Sequence, residues 1–130
     1  REIHTAFTLG LTISNTLAGA DAYLGEIPVE LKSTIGSLKA TYNGVSIQPT
    51  WEEQERYLVE DKLGKYPYHY ITRYEGSELV EAYRLTSEDV LSLLLPKFKK
   101  QYHTHRVVKD PRGSAYLTSK EIKAYGTRIV

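Results

Sequence analysis

Pro28-Val-Glu-Leu-Lys-Ser-Thr-Ile-Gly-Ser-Leu-Lys-Ala-Thr-Tyr42 decides how the first half of this 130-residue chain is read. Pro28 suits the first turn of a helix, and Leu31, Ile35, Leu38 and Tyr42 follow at steps of four, three and four. That spacing predicts an amphipathic helix. Asn43-Gly44 then supplies the stop. Upstream, residues 3 to 24 fit two patterns. Ile3, Phe7, Gly10, Ile13, Leu17, Ala20 and Leu24 recur at helical spacing, whereas Phe7, Leu9, Leu11 and Ile13 alternate with polar or small residues as a half-buried strand would. The threonines and Gly10 favour strand for 5 to 14, and Thr16 onward favours helix.

Downstream of Asn43-Gly44, Thr50 with Glu53 three residues on forms a capping-box pattern. It opens an acidic helix at Trp51 that ends near Gly64. After Tyr66-Pro67 the period changes to that of strands. Tyr68 to Glu75 and Glu78 to Leu85 flank Gly76-Ser77 and predict a hairpin with a two-residue turn. Thr86 and Asp89 start a short helix through Val90, Leu91, Leu94 and Leu95, which Pro96 limits. His105 to Lys109 and Ser114 to Leu117 flank Asp110-Pro-Arg-Gly113 and predict a second hairpin. Thr118 and Glu121 cap a last helix that Gly126 ends. The expected fold is a single α+β domain over residues 1–130, with an α-rich N-terminal half followed by a ββ-α-ββ-α C-terminal half.

Charge is divided along this plan. Nine basic residues against two acidic ones give residues 97–130 a net +7, while eight against fourteen give residues 1–96 a net −6. The formal total of +1 hides the split. A basic block with interleaved aromatic residues is the usual footprint of a polyanion-binding surface. The expected nucleic-acid-binding residues are therefore Lys97, Lys99, Lys100, Tyr102, His103, His105, Arg106, Lys109, Arg112, Lys120, Lys123 and Arg128. Phosphate contacts need only positive charge within reach, so no stricter spacing is expected. No helix-turn-helix, zinc-finger or RNP-type motif accompanies them, so base-specific readout gains no support.

Composition narrows the classes further. There is no cysteine, which excludes disulfides, thiolate metal sites and cysteine nucleophiles. Methionine is absent even at position 1, which fits a processed particle protein or a trimmed chain equally well. Eleven tyrosines against two phenylalanines suit half-buried surfaces and interfaces. Tyr66, Tyr68, Tyr70 and Tyr74 would share one strand face, either as a stacking platform for bases or as a packed sheet face. No apolar run approaches the roughly 18 residues of a membrane span. A soluble protein is expected, cytoplasmic or part of a virion or extracellular assembly.

Two chemistries compete weakly with binding. His103 and His105, two apart on a strand, could ligate a metal, but no third ligand is in register, so no metal site and no cofactor are expected. Asp110 with Glu121-Ile-Lys123 has the D…ExK order of metal-dependent nucleases, in which carboxylates hold Mg²⁺ and the lysine positions the attacking water. That chemistry needs the ExK on a buried strand, and Glu121 sits in a predicted helix start. The leading expectation is a non-enzymatic protein that binds nucleic-acid backbone through residues 97–130, as a repeated subunit of a nucleoprotein assembly. Second is a virion or filament subunit whose basic segment docks on Glu52, Glu53, Glu55, Glu60 and Asp61 of a neighbouring copy. A metal-dependent nuclease comes third, and no small-molecule substrate is evident.

Overall fold

The computed structural model describes residues 9–13, 22–105 and 112–130. Its strands are β1 (Thr12–Ile13), β2 (Ala22–Leu24), β3 (Ile27–Ile35), β4 (Ala40–Ser46), β5 (Tyr68–Glu75), β6 (Glu78–Thr86), β7 (Arg112–Leu117) and β8 (Thr127–Arg128). Its helices are α1 (Trp51–Tyr57), which runs into a π-helical turn (Leu58–Lys62), α2 (Ser87–His105) and α3 (Ser119–Tyr125).

The α-rich N-terminal half is overturned, because the described residues before Thr50 are mainly strands. In β3, Val29 and Leu31 are buried while Glu30 and Lys32 are only half-buried, a period of two. The helical spacing of apolar residues is coincidental. Leu31 joins one core, Leu38 and Tyr42 join another, and Ile35 is 54% exposed, so the four share no face. Asn43-Gly44 does not stop a helix but lies within β4. Gly44 has φ of 67°, and the pairing of β4 with β7 shifts register between Tyr42 and Val45, the mark of a bulge. In the earlier stretch the strand reading holds at Thr12–Ile13 but not at Leu9, which is helical, and the helix favoured from Thr16 onward is overturned at Ala22–Leu24, which is strand. The rest of 3 to 21, other than 9 to 13, lies outside the described residues.

A six-stranded sheet runs in the order β1-β2-β3-β5-β6-β8. Its neighbours are antiparallel except β3 and β5, which run parallel from Val29 opposite Tyr68 to Ile35 opposite Tyr74. Parallel neighbours need a long return, and residues 36–67 supply it through β4, α1 and the π-helical turn. The β5–β6 hairpin has the turn expected of it, with Gly76 at φ of 61° in the first central position. β7 pairs with β4, and His105, expected to open the first strand of a hairpin around Asp110-Pro-Arg-Gly113, is helical. Residues 106–111 lie outside the description.

Pro96 does not end its helix either. In α2 the residues Val90, Leu94, Phe98 and Tyr102 are buried at steps of four, whereas Pro96 is on the exposed side. The hydrogen bond that a proline omits is tolerated best where the orphaned carbonyl lies on a solvent-facing side. The buried face of α2 packs on Leu38, Ile71, Leu85, Leu117 and Ile122 to form the main core. On the other side of the large sheet, Leu11, Ala22, Val29, Leu31 and Tyr70 make a second, smaller one.

Two caps are as the sequence implies. Thr50 Oγ1 accepts from Glu53 N at 3.2 Å to start α1. Thr118 and Glu121 form a reciprocal box, with Glu121 N donating to Thr118 Oγ1 at 3.1 Å and Thr118 N to Glu121 Oε1 at 2.9 Å. No helix among the described residues is long and apolar enough to cross a membrane.

Candidate functional site

Strand alternation sends Glu30 and Lys32 to the same face of β3, opposite to Val29 and Leu31. β3 lies inside the large sheet, between β2 and β5, so both residues rise from well-supported backbone. Their side chains are 21% and 30% exposed, and Lys32 Nζ lies 3.6 Å from Glu30 Oε1. The ammonium also sits 4.8 Å from the centre of the Tyr42 ring, a cation–π distance. The β4 bulge brings Tyr42, Asn43 and Val45 alongside, and the π-helical turn adds Lys62 with Leu63. Together they line a cleft of about 110 Å³.

The cleft floor is a polar chain with fixed proton positions. His69 pairs with Glu30 across β5 and β3, and it is 1% exposed. Its Nε2 lies 2.9 Å from the Leu63 carbonyl oxygen, which can only accept, so this nitrogen carries the proton. Nδ1 is then bare and accepts from the Tyr42 hydroxyl at 2.8 Å. Burial, with the charge of Lys32 added, lowers the His69 pKa to about 4 against the opposing pull of the Leu63 carbonyl. Burial, reinforced by the negative charge of Glu30, raises that of the Tyr42 phenol. Both groups therefore stay neutral through the physiological range. The charged side chains that line the cleft are Glu30, Lys32 and Lys62.

This site is not legible from the sequence while residues 28–42 are placed on a helix, where positions two apart do not face each other. An ExK triplet at Glu30-Leu31-Lys32 becomes visible only once period-two burial replaces period-3.6 spacing.

The residues expected to bind nucleic acid are spread over several elements. Lys99 and Lys100 are exposed on α2, and Lys120 and Lys123 are exposed on α3. Lys97 is turned inward as a tie, donating to Glu121 Oε1 at 2.6 Å and to the Tyr116 carbonyl at 2.7 Å. It thus fastens α2 to β7 and α3. Burial of the Glu121 carboxyl raises its pKa, but the hydrogen bond from Lys97 outweighs this and leaves it below the ordinary range. Tyr102 is buried, with its hydroxyl donating to the Gln48 carbonyl at 3.0 Å and its ring against Trp51 at 5.7 Å.

The remaining residues of the set lie on other elements or outside the described residues. Arg128, in β8, donates to the Val130 carbonyl at 2.9 Å and has its guanidinium 5.9 Å from the Tyr83 ring centre. Arg112 begins β7 opposite Ser46. His103 and His105 are in the last turn of α2 and not on a strand. Arg106 and Lys109 lie outside the described residues, as does Asp110. Glu121 and Lys123 sit on a helix, so the C-terminal ExK lacks the strand its chemistry requires.

The tyrosine ladder is packed rather than open. Tyr66, Tyr70 and Tyr74 are 8%, 3% and 1% exposed, and Tyr68 is half-buried with the Arg84 guanidinium 5.1 Å from its ring centre. Glu52, Glu53, Glu55, Glu60 and Asp61 are exposed along α1 and the π-helical turn. They stand beside α2 of the same chain, with Lys99 Nζ 6.0 Å from the Trp51 ring. No group of three or more potential metal ligands among His, Cys, Asp and Glu occurs in the described residues. No protein-family model matches the chain, and no curated protein matches it in sequence.

Proposed function

We propose that the protein binds the phosphate backbone of nucleic acid through the exposed cations of α2 and α3. The observation that carries this is the division of charge, with +7 over residues 97–130 against −6 over the rest. Its cations stand on helices joined by the Lys97–Glu121 ion pair, so their spacing is held by the fold. Phosphate contacts need charge in fixed places and no particular base edge, which matches a sequence without a base-reading motif. The buried tyrosines take no direct part in this reading. Their burial leaves the lysines to carry the affinity.

Reversing Lys99, Lys120 and Lys123 together to glutamate tests this. All three are exposed, and Lys123 also lies 4.0 Å from Glu81 Oε1. The triple variant should therefore lose that ion pair and several degrees of thermal midpoint while remaining folded at room temperature. Its affinity for duplex DNA and duplex RNA at low salt should fall roughly tenfold or more. Unchanged affinity in a folded triple variant contradicts the proposal.

A further inference from the structure

We propose that the cleft around Glu30 and Lys32 is a hydrolytic centre, which takes a divalent cation of the Mg²⁺ or Mn²⁺ class and cleaves a nucleic-acid phosphodiester. It rests on the backbone-binding reading, which supplies the substrate class. The bland reading of Glu30 and Lys32 is an ordinary ion pair on a strand. Such pairs stabilise little when solvated and cost solvation when half-buried. Packing therefore gives little reason for placing both on an internal strand, beneath a bulge and a π-helical turn. Both devices recur beside functional sites, where they re-aim side chains.

The chemistry of the cleft supplies a reason. Mg²⁺ keeps several waters and is commonly held by one or two carboxylates plus the phosphate oxygens of its substrate. Glu30 can be that carboxylate, so an all-protein cage is not required. Lys32, 3.6 Å from the Glu30 carboxylate, is placed to hold a water beside the cation and to stabilise its hydroxide form. Lys62, across the cleft, offsets the charge that builds on the phosphoryl oxygens. His69 is not the base, since one ring nitrogen donates to Leu63 and the other accepts from Tyr42. The two fix the floor instead.

In the step itself, the oxygen of that water forms a bond to phosphorus and its proton passes to solvent. The bond from phosphorus to the leaving sugar oxygen breaks with its electron pair on that oxygen, which takes a proton from solvent. One ester and one water give one phosphomonoester and one hydroxyl, with no change of oxidation state.

The test uses the full chain with supercoiled plasmid and Mg²⁺ or Mn²⁺, read by nicking, alongside retention of labelled duplex in Ca²⁺. Wild type should bind and nick. Glu30→Gln and Lys32→Ala should each nick roughly 100-fold more slowly or less, while retaining the duplex and a wild-type far-ultraviolet spectrum. Binding without nicking in either metal overturns the hydrolytic centre alone. Neither binding nor nicking overturns it together with the backbone-binding reading. Undiminished nicking by a folded Glu30→Gln variant overturns the assignment to this cleft.

Discussion

Truncating Leu94 to alanine is expected to destabilise the protein by about 2 to 5 kcal/mol, whereas the same change at Ile35 should stay within about 0.5 kcal/mol. Leu94 is 0% exposed at the middle of the buried stripe of α2, among Leu38, Ile71, Phe98 and Leu117. Removing its isobutyl group loses both the transfer free energy and the contacts across the void left behind. Ile35 ends β3 with more than half its surface in water, so little is lost there. Urea unfolding of the two variants beside wild type measures the contrast. It also separates the strand from the helix over residues 28–42, because a helix would bury Ile35 with Leu31 and Leu38. Equal costs at Leu94 and Ile35 would contradict the architecture.

Stability should also fall on mild acidification, and His69 is the cause. Its folded pKa is about 4 against an ordinary 6.5, so over that interval the unfolded chain takes a proton that the folded chain refuses. The stabilisation is complete above the unfolded value and is lost as pH falls toward the folded one. The total is on the order of 3 kcal/mol, with a slope approaching 1.4 kcal/mol per pH unit. Urea midpoints between about pH 6.5 and about pH 5 isolate the effect. Glu81 and Glu121 titrate below that range, because hydrogen bonds from Arg73 and Lys97 hold their carboxyls under the ordinary 4.5. His69→Gln removes the titrating group while its amide can still donate to the Leu63 carbonyl. The variant should show a flat profile, and a slope as steep as wild type would contradict this account of the buried pair.

The sequence was most legible where local chemistry and tertiary packing agree. Thr50 and Thr118 cap helices because their hydroxyls satisfy amides that a helix leaves unpaired, whatever surrounds them. Gly76-Ser77 makes a tight hairpin for an equally local reason. The reading failed where apolar spacing was ambiguous and long-range pairing decided. Leu31, Ile35, Leu38 and Tyr42 fit a helix on paper, but pairing of β3 with β2 and β5, and of β4 with β7, overrides that propensity. Pro96 failed differently, since a proline on the open side of a long amphipathic helix is tolerated when the buried stripe is strong.

The consequence for the site follows directly. The basic residues were visible as charge, but the partners of Lys97 and Arg128 could not be, because Glu121 and Val130 meet them only through the fold. The Glu30–Lys32 cleft went unseen because its two polar residues stood on the wrong element. A single error of period concealed the fold class and the cleft together.

The most direct measurement of the central claim, that this chain holds nucleic-acid phosphate, is the salt dependence of duplex binding by the wild-type protein. The logarithm of the binding constant should fall linearly and steeply with the logarithm of salt concentration between about 50 mM and about 200 mM, as displaced counterions require. A flat dependence, or no binding at the low-salt end, would contradict it.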